Sequence, residues 1–507
     1  MAEIVVVGAG LIGLSTALLL ARDGHRVTVL EKDPSPPPRP ASAWDDWERP
    51  GVNQFRLVHL MLPRWTAEMQ REVPAVIDRM AAAGAPRFNV LQALPTSWSG
   101  GPRSGDDRFD TVTARRPVIE AVLAQVAAQT PGLTVLRGAT VTGLIAGQQR
   151  FAGVPRVAGV LTRDRSLRAD LVVDAGGHRS AMPALIEGIG ARRPAETRDE
   201  SGFVYYVRHF RSTDPAVSRP AVTATLLSHY DSVSLLTLPC DNGTWGAGFA
   251  VSSRDKQAKV LRDVDSWQRA FDLFPDQQPW SRGLPIGPVQ VIAGIEDRAR
   301  NYLPGGDPVV TGLVAVGDAW ACTNPSLGRG GTIGLIHARV LRDVLRSVDA
   351  GDPEELVQAF QEATQREVAP LFDASVTFTR HRLAEIDADI AGVPYVTDDP
   401  GWGMSNALYA AAHRDPDVLR AYLDVAAALA LPEQALSTPG LGEKVMTLGA
   451  NMPRYFQPGP SRAEFLAALR QPVLLSSDPT NEGPPIDTGA SIQTTSRRRS
   501  RAGSAHS

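Results

Sequence analysis

The fold of this chain is decided near its start by the stretch Ile4-Val5-Val6-Val7-Gly8-Ala9-Gly10-Leu11-Ile12-Gly13. A continuous run of β-branched residues that ends at glycines is typical of a strand buried on both faces of a parallel sheet. A largely apolar segment from Leu14 to Ala21 follows and predicts a helix. The stretch therefore predicts a strand, a tight glycine turn and a helix in direct succession.

The three glycines predict an anion-binding turn. Gly8 permits the turn, Gly10 lets the backbone approach a pyrophosphate, and Gly13 lets the helix pack closely on the strand. The helix N-terminus, with Leu11 and Ile12, offers unpaired N–H groups and a positive dipole end to a phosphate.

The next predicted strand supports a dinucleotide site. It ends at Glu31, which is followed by Lys32, roughly twenty residues after the glycines, where an acid is expected to bind the ribose hydroxyls of an adenosine. An acid at this position argues against a 2′-phosphate. These residues do not indicate which dinucleotide is bound.

Size and composition set broad limits. The 507 residues allow two or three domains, or one cofactor domain interleaved with a substrate domain. The hydrophobic content of 43% supports a globular protein, and the net charge of −3 gives no reason to expect nucleic acid or an anionic membrane as a partner. Cys240 and Cys322 define neither a disulfide framework nor a metal site. Without an export signal or a long apolar run, we expect a soluble cytoplasmic protein.

Two polar segments follow the second predicted strand. A Pro-rich loop leads to Gln54, Arg56 and His59, which either point toward the cofactor or are loop polar groups with a capping histidine. An amphipathic helix is predicted near residues 63–83. A further helix over residues 113–129 begins at Arg115-Arg116-Pro117, where an arginine can reach a phosphate or carboxylate or can simply be solvated.

The middle of the chain predicts two kinds of sheet. An apolar strand, Leu171 to Asp174, runs into Gly176-Gly177-His178-Arg179-Ser180 and returns the chain to the first sheet. Alternating, aromatic-rich runs at residues 203–207, 222–227, 233–238 and 245–251 then predict antiparallel strands. Such a sheet is a suitable wall for an apolar substrate.

A second glycine-rich motif lies at residues 312–338. An apolar strand ends at Gly317 and Asp318. A loop then leads into a helix and contains Pro325, Gly328, Gly330 and Gly331. The carboxylate at the strand end is suited to a ribityl or ribose hydroxyl, and the helix start can approach a second anionic or electron-rich group. The alternative is a buried strand followed by a capped turn.

The remaining chain divides into a helical region and a tail. Residues 353–469 have a mostly helical pattern, to which we assign packing and substrate closure but no chemistry. After Ser476 the chain is rich in Ser, Thr, Pro and Gly, which predicts a disordered tail.

Taken together, these motifs resemble the FAD-dependent monooxygenases of the aromatic-hydroxylase and epoxidase superfamily. The resemblance covers approximately residues 2–338 and rests on the Gly8/Gly10/Gly13 fingerprint with Glu31, the segment ending Gly177-His178-Arg179-Ser180, and the Asp318 to Gly331 motif. Gly51 to Met61 also looks like the Pro-Gln-x-Arg-His-x-His segment of epoxidase-like oxidoreductases. Gln54, Arg56 and His59 match that segment, whereas Asn53 and Leu57 depart from it.

Together with the patterns above, the resemblance predicts an α/β fold: a Rossmann-like FAD-binding domain at 1–200 with 290–350 and an interleaved antiparallel substrate domain at 201–289. The helical pattern and the composition beyond it predict a helical C-terminal region at 351–475 and a disordered tail at 476–507. The resemblance also implies contacts from Glu31 to the adenosine ribose, from Arg116 to the cofactor, and from Asp318 to the ribityl–pyrophosphate portion. The Gly328–Gly331 loop would lie beside the isoalloxazine. His59, Tyr205 and Leu235 are candidate substrate contacts, and no catalytic side chain is nominated.

The implied reaction is hydroxylation or epoxidation of an apolar small molecule, in secondary metabolism, by the flavin C4a-hydroperoxide that reduced flavin forms with O2. Gly176 stands where single-component hydroxylases usually have aspartate, which puts direct reduction by NAD(P)H in doubt and makes a partner flavin reductase an alternative electron source. The competing readings are a flavin-dependent reductase or dehydrogenase of an isoprenoid-like substrate and a non-redox FAD-dependent isomerase or cyclase. A halogenase is disfavoured because no Trp-x-Trp-x-Ile-Pro stretch is present.

Overall fold

A five-stranded parallel sheet organises the N-terminal half of the chain. The computed structural model describes residues 1–470 apart from 149–152, 215, 216, 218, 451, 453, 454 and 456. In spatial order, the strands of the parallel sheet are Leu313–Ala315, Leu171–Asp174, Glu3–Val7, Arg26–Glu31 and Leu133–Arg137. The strand before the glycine turn is therefore the central strand, as its uninterrupted apolar run predicts.

Helices pack against the parallel sheet. Leu11–Arg22 begins directly after the glycine turn, and it packs against Arg116–Ala127 and Gly330–Leu345. Its residues from Gly13 to Ala21 are buried, which explains why the segment is apolar on every side rather than amphipathic. The glycine motif thus joins the central strand to this helix, and both elements contribute to the largest hydrophobic core.

A second five-stranded sheet, which we call the antiparallel sheet, lies in the middle of the chain. Its strands in spatial order are Leu227–His229, Val233–Pro239, Thr244–Ser252, Phe203–Arg211 and Leu284–Ile292. The predicted strand at residues 222–227 is wrong for most of that run, because the strand begins only at Leu227. Before it, Thr225 Oγ1 donates to the Leu227 carbonyl oxygen, a local bond that competes with strand pairing.

Three smaller sheets complete the β-structure of the described residues. They comprise Ala195–Glu200 with Glu296–Asn301 and Ala321–Cys322, Arg87–Asn89 with Asp110–Val112, and Val141–Ala146 with Val157–Thr162 and Ser166–Arg168. The first of these sheets includes part of the second glycine-rich motif, because Ala321–Cys322 lies between Asp318 and Pro325.

Prolines set several helix boundaries. The predicted helix at 63–83 is two helices, Pro63–Glu72 and Pro74–Ala82, since Pro74 lacks an N–H and cannot continue a helix. The helix predicted at 113–129 is Arg116–Ala127, with Pro117 in its first turn. The other short helices before the C-terminal region are Ala43–Asp46, Thr96–Ser99, Met182–Glu187 and Val264–Phe271.

The C-terminal region is helical, as predicted. Its helices are Pro353–Glu367, Ala369–Ala391, Pro400–Ala411, Pro416–Ala426, Pro432–Ala435, Leu441–Gly449 and Arg462–Arg470. The prediction of a mixed α/β fold with parallel and antiparallel sheets and C-terminal helices is confirmed. Residues 1–471 form one compact unit, so the boundaries between the predicted domains stay predictions. The tail predicted at 476–507 lies outside the described residues.

Among the described residues, no helix is both long and apolar enough to cross a bilayer.

Candidate functional site

One cavity of about 830 Å³ reaches from the first glycine turn to the C-terminal helices. Its near end is bounded by the carboxyl ends of the parallel strands, where ligands bind in open α/β sheets. Its far end is bounded by the antiparallel sheet and the C-terminal helices. We call these the nucleotide end and the distal end.

The glycines of the first turn have the geometry that a pyrophosphate site needs. Gly8 has a φ of 109°, and a Cβ there would lie 2.5 Å from the Ala175 carbonyl oxygen. A Cβ on Gly13 would lie 1.9 Å from the Gly8 carbonyl oxygen, so this glycine serves packing. A Cβ on Gly10 would meet no atom within 4 Å, and no side chain caps the helix that begins at Leu11. Backbone at Gly10 is therefore open to a bound phosphate.

Glu31 is held in a fixed position at the nucleotide end. Its carboxylate accepts hydrogen bonds from the backbone N–H groups of Ala9 and Asp33, each at 2.9 Å. The guanidinium of Arg49 lies 2.5 Å from the same carboxylate and also contacts Glu120. Burial lowers the pKa of Arg49, but the Glu120 and Glu31 carboxylates more than offset this, and the net shift is upward. A permanently charged Arg49 thus ties the ribose-binding acid to the protein.

Asp318 lies farther along the cavity. Its carboxylate makes no hydrogen bond within the described part of the chain, although it lines the cavity. Burial raises its pKa, while the positive charges of Arg116, His178 and Arg298 oppose the rise. A carboxylate in this state is an acceptor without a donor, which suits the hydroxyl groups of a ribityl chain.

The second glycine-rich loop is anchored to the antiparallel sheet. The Tyr205 hydroxyl bonds to the side chains of Asn324 and Ser326 at the start of this loop. The carboxylate of Asp297 accepts the Asn324 backbone N–H at 2.6 Å. These contacts fix the loop that carries Gly328 and Gly330, where a Cβ on Gly330 would again meet no atom within 4 Å.

His59 lines the cavity as a neutral imidazole. Burial and the charge of Arg116 lower its pKa to about 4. Its Nδ1 lies 3.0 Å from the Leu57 carbonyl oxygen, so Nδ1 carries the proton and Nε2 is left as an acceptor.

The middle motif has a structural reason for Gly176, its first glycine. Asp174 accepts hydrogen bonds from the Gly176 N–H at 2.9 Å and from Ser180 Oγ at 2.6 Å. A Cβ on Gly176 would lie 3.0 Å from the Asp174 Oδ1 atom. An aspartate at position 176, as in single-component hydroxylases, would therefore lie too close to Asp174, whose hydrogen bonds already close this turn.

The distal end is mainly apolar and aromatic. Its walls come from the antiparallel sheet and from the C-terminal helices: Tyr205, Val207, Leu236, Leu238, Ile292, Phe378, Trp402, Leu408, Tyr409, Tyr422 and Leu423. The polar side chains among them include His229, Arg329, Arg382 and Glu385. Arg382 and Glu385 lie 3.4 Å apart, and Glu385 also accepts the Trp402 indole N–H at 2.9 Å. This pair is satisfied within the protein.

Most predicted site residues line this one cavity. They are Gly8, Gly10, Leu11, Ile12, Glu31, Lys32, Gln54, His59, Arg116, Tyr205, Asp318, Pro325, Gly328, Gly330 and Gly331. The cavity lining does not include Gly13, Gly317, Arg56 or Leu235. Gly317 serves packing like Gly13, because a Cβ there would lie 3.0 Å from the Ile12 side chain.

Two of these exceptions correct the sequence-based interpretation. The Arg56 guanidinium donates to the carbonyl oxygens of Trp44 and Trp47 and pairs with Glu48, so it holds its own loop instead of reaching the cavity. Leu235 points to the closed core on the other side of the antiparallel sheet, whereas Leu236 lines the cavity. Because successive side chains along a strand point to opposite faces of the sheet, a shift of one residue decides which face a side chain occupies.

Sequence reasoning missed several cavity residues. Arg49 follows a Pro-rich loop without a periodic pattern, and only its position after the ribose-binding acid could have suggested a role. Arg329 was hidden inside the glycine cluster. Tyr422 and Arg382 come from helices that carry no motif.

The residues present fit FAD. The fixed Glu31, the open backbone at Gly10 and the unpaired Asp318 carboxylate line a single cavity. They offer contacts for a ribose, a pyrophosphate and a ribityl chain, which follow one another in this order in FAD.

Comparisons with known proteins agree with this fit. Residues 3–80 match the family model described as FAD dependent oxidoreductase. Protein Rv3254 of Mycobacterium tuberculosis is 29% identical over 382 residues, which cover 73% of this chain and 78% of that protein.

Two of the solved structures with a similar fold illustrate the likeness. One is PqsL, a probable FAD-dependent monooxygenase from Pseudomonas aeruginosa, with 17% identity and a TM-score of 0.56 over 76% of this chain and 99% of that chain. The other is OxyS anhydrotetracycline hydroxylase from Streptomyces rimosus, with 17% identity and a TM-score of 0.51 over 85% of this chain and 76% of that chain. These matches confirm the predicted resemblance to FAD-dependent oxidoreductases and the fold of flavin monooxygenases.

Proposed function

We propose that the protein is a FAD-dependent monooxygenase that hydroxylates or epoxidises a mainly apolar small molecule. The observation that carries this proposal is the single cavity that joins the nucleotide end to an aromatic distal end. A dinucleotide held at the glycine turn would extend past Asp318 toward the second glycine-rich loop. Its reactive ring would then meet a substrate lodged in the distal end.

Bound FAD would supply the oxygen chemistry. We further propose that the oxygen atom is transferred to the substrate from a flavin C4a-hydroperoxide. The chain supplies binding and orientation. Gly10 and the helix start receive the pyrophosphate, Glu31 the ribose, and Asp318 the ribityl hydroxyls. Tyr205 acts on the loop through Asn324 and Ser326 rather than on the substrate, since its hydroxyl is already bonded there.

The distal walls serve to exclude water. Aromatic and aliphatic side chains from two layers close this end, and a dry site protects a reactive oxygen donor from hydrolysis. His59 is neutral at physiological pH because its pKa is lowered to about 4.

The source of electrons has two candidates, NAD(P)H acting directly or a partner flavin reductase. The proposal favours the reductase because Gly176 replaces the aspartate of single-component hydroxylases and Asp174 occupies the space that a side chain there would need. O2 is the co-substrate, and the proposed location is the cytoplasm.

The proposal is tested with the purified flavin-loaded protein. It predicts a flavin absorption spectrum and a product that gains one oxygen atom from isotopically labelled O2, identified by mass spectrometry against a panel of polycyclic and isoprenoid compounds. Addition of a flavin reductase with NADH is expected to support turnover that NADPH alone does not.

The competing functions give different results in the same assay. Product formation under strict anaerobiosis would contradict oxygenation and would indicate a dehydrogenase or reductase. An isomerised product formed with oxidised flavin and no electron donor would indicate a non-redox role.

A further inference from the structure

Arg329 is a buried cation in the wall of the cavity, and no carboxylate in the described part of the chain pairs with it. It lies between Gly328 and Gly330 in the second glycine-rich loop, and only 6% of the residue is exposed. Its Nη1 donates to Ser375 Oγ at 3.3 Å, and its Nη2 donates to the Val425 carbonyl oxygen at 2.7 Å. Its Nε is buried and has no hydrogen-bond partner. Within the described residues, both groups that accept from Arg329 are neutral.

This arrangement is costly for a structural arginine. A guanidinium can donate five hydrogen bonds, and a buried charge is normally paired with an opposite charge. Arg382, which lines the same cavity, is paired with Glu385. Burial lowers the pKa of Arg329 to about 10, so it still carries its charge at neutral pH. The protein therefore maintains a positive charge in the cavity that the carboxylates of its described residues do not neutralise.

Tyr422 provides a second donor at the same place. It lines the cavity, and its hydroxyl makes no hydrogen bond within the described part of the chain. Arg329 and Tyr422 are near enough to influence each other electrostatically. Burial raises the pKa of Tyr422, so the phenol stays protonated and can donate.

The surrounding surface suits a molecule with an apolar body that brings an acceptor to these two donors. The ring of Tyr422 lies 5.6 Å from that of Tyr409, and the ring of Tyr409 lies 5.4 Å from His229. Aromatic rings thus continue from Arg329 along the distal end.

We propose that Arg329 and Tyr422 bind an acidic oxygen group of the substrate, a carboxylate or an ionised enol or phenol. The inference rests on the proposed function and narrows it, because the substrate becomes an amphipathic acid with an apolar body. Since Arg329 belongs to the loop predicted to lie beside the isoalloxazine, the charged contact would also fix which part of the substrate faces the reactive ring. Arg329 is thus a specificity-determining residue.

The test compares acids with neutral amides of the same shape. Formate, benzoate and 2-naphthoate are each titrated against formamide, benzamide and 2-naphthamide, up to their solubility limits. Binding to the oxidised flavin-loaded protein is followed by flavin absorbance and by the shift in Tm. We expect at least one acid to bind more tightly than its amide.

The variants Arg329→Gln and Tyr422→Phe identify the groups responsible. Loss of the charged hydrogen bonds in Arg329→Gln is expected to weaken binding of the acid by about ten- to a hundredfold, without changing binding of the amide. Tyr422→Phe is expected to weaken binding of the acid by a smaller factor. Arg329→Lys is expected to restore part of the preference for the acid over the amide. Arg342→Gln, at a buried arginine paired with Glu72 outside the cavity, is the matched control and should leave the preference unchanged.

A structural role for Arg329 gives another pattern. If no acid binds better than its amide, or if Arg329→Gln lowers Tm and leaves the preference intact, the inference is wrong. A change confined to FAD affinity would assign the cation to the cofactor and would also overturn it. Because the binding test requires no turnover, its result on the acid preference is independent of the monooxygenase activity. The shift in Tm can be measured even if the protein retains no flavin.

Discussion

The guanidinium of Arg49 lies 2.5 Å from the carboxylate of Glu31, and both side chains are at least 95% buried. The same guanidinium contacts Glu120, whose side chain is fully buried. The contact between Arg49 and Glu31 joins the loop that follows the second strand to the acid that would bind the ribose. The relationship explains how a Pro-rich loop can be part of the nucleotide end.

Replacing Arg49 by methionine is expected to lower the free energy of unfolding by roughly 3–5 kcal/mol, because the buried Glu31 carboxylate loses its counter-charge and Glu120 keeps only that of Arg116. FAD should also dissociate more readily. The first quantity is measured by urea denaturation and the second by flavin release on gel filtration. As a control, Arg26→Met removes an exposed ion pair with Glu3 and should cost about 1 kcal/mol or less. Equal losses in the two variants would contradict the assigned role of Arg49.

The two glycines of the first turn should respond differently to alanine. Gly13→Ala places a Cβ against backbone and is expected to cost about 1–3 kcal/mol of stability through overpacking. Gly10→Ala has free space and a φ of −83°, so it should fold with nearly unchanged stability. The methyl group would instead obstruct the approach of a pyrophosphate and reduce FAD retention. Unchanged FAD retention in a folded Gly10→Ala variant would place the phosphate elsewhere.

The central part of the fold could be predicted because its signals are local. The β-branched run before Gly8, the glycine spacing and the acid at Glu31 follow one another within a single strand–helix–strand unit. Asp318 and Gly328 to Gly331 could likewise be assigned because strand ends at one edge of a parallel sheet lie near each other.

The distal end could not be predicted because its contacts join distant parts of the chain. Arg329 meets Ser375 and Val425, which lie on two different C-terminal helices without a motif. Arg56 matched a family segment, yet its own loop captures its guanidinium. A motif gives the residue type at a position, whereas the packing around it decides where a long side chain points.

Neighbouring leucines on the antiparallel sheet provide a test of which face borders the cavity. Leu235→Ala opens a void in a closed core and is expected to cost about 2–5 kcal/mol in urea denaturation. Leu236→Ala should cost less because its side chain already borders a cavity. Leu236→Trp should fill part of the distal end and weaken substrate binding, measured by titration of the flavin spectrum. Similar stability losses for both alanine variants, with no ligand effect of Leu236→Trp, would reverse the assignment of the two faces.

The pH dependence of stability should contain a contribution from Asp297. This carboxyl is only 3% exposed, and burial raises its pKa from 3.8 to about 6, although the hydrogen bond from the Asn324 N–H opposes the rise. Between these two pH values the folded protein binds more protons at this site than the unfolded chain, so the contribution of Asp297 to stability falls as the pH increases.

Asp297→Asn keeps an oxygen acceptor for the Asn324 N–H and removes the titration. Relative to the wild type, this variant should therefore gain stability as the pH rises from about 4 to about 6, with a constant difference above that range. Urea denaturation at a series of pH values gives this difference directly, and other titrating groups cancel because both proteins share them. A difference that does not change with pH would mean that Asp297 is already ionised at the acidic end, and that the N–H of Asn324 is bound by a charged carboxylate throughout.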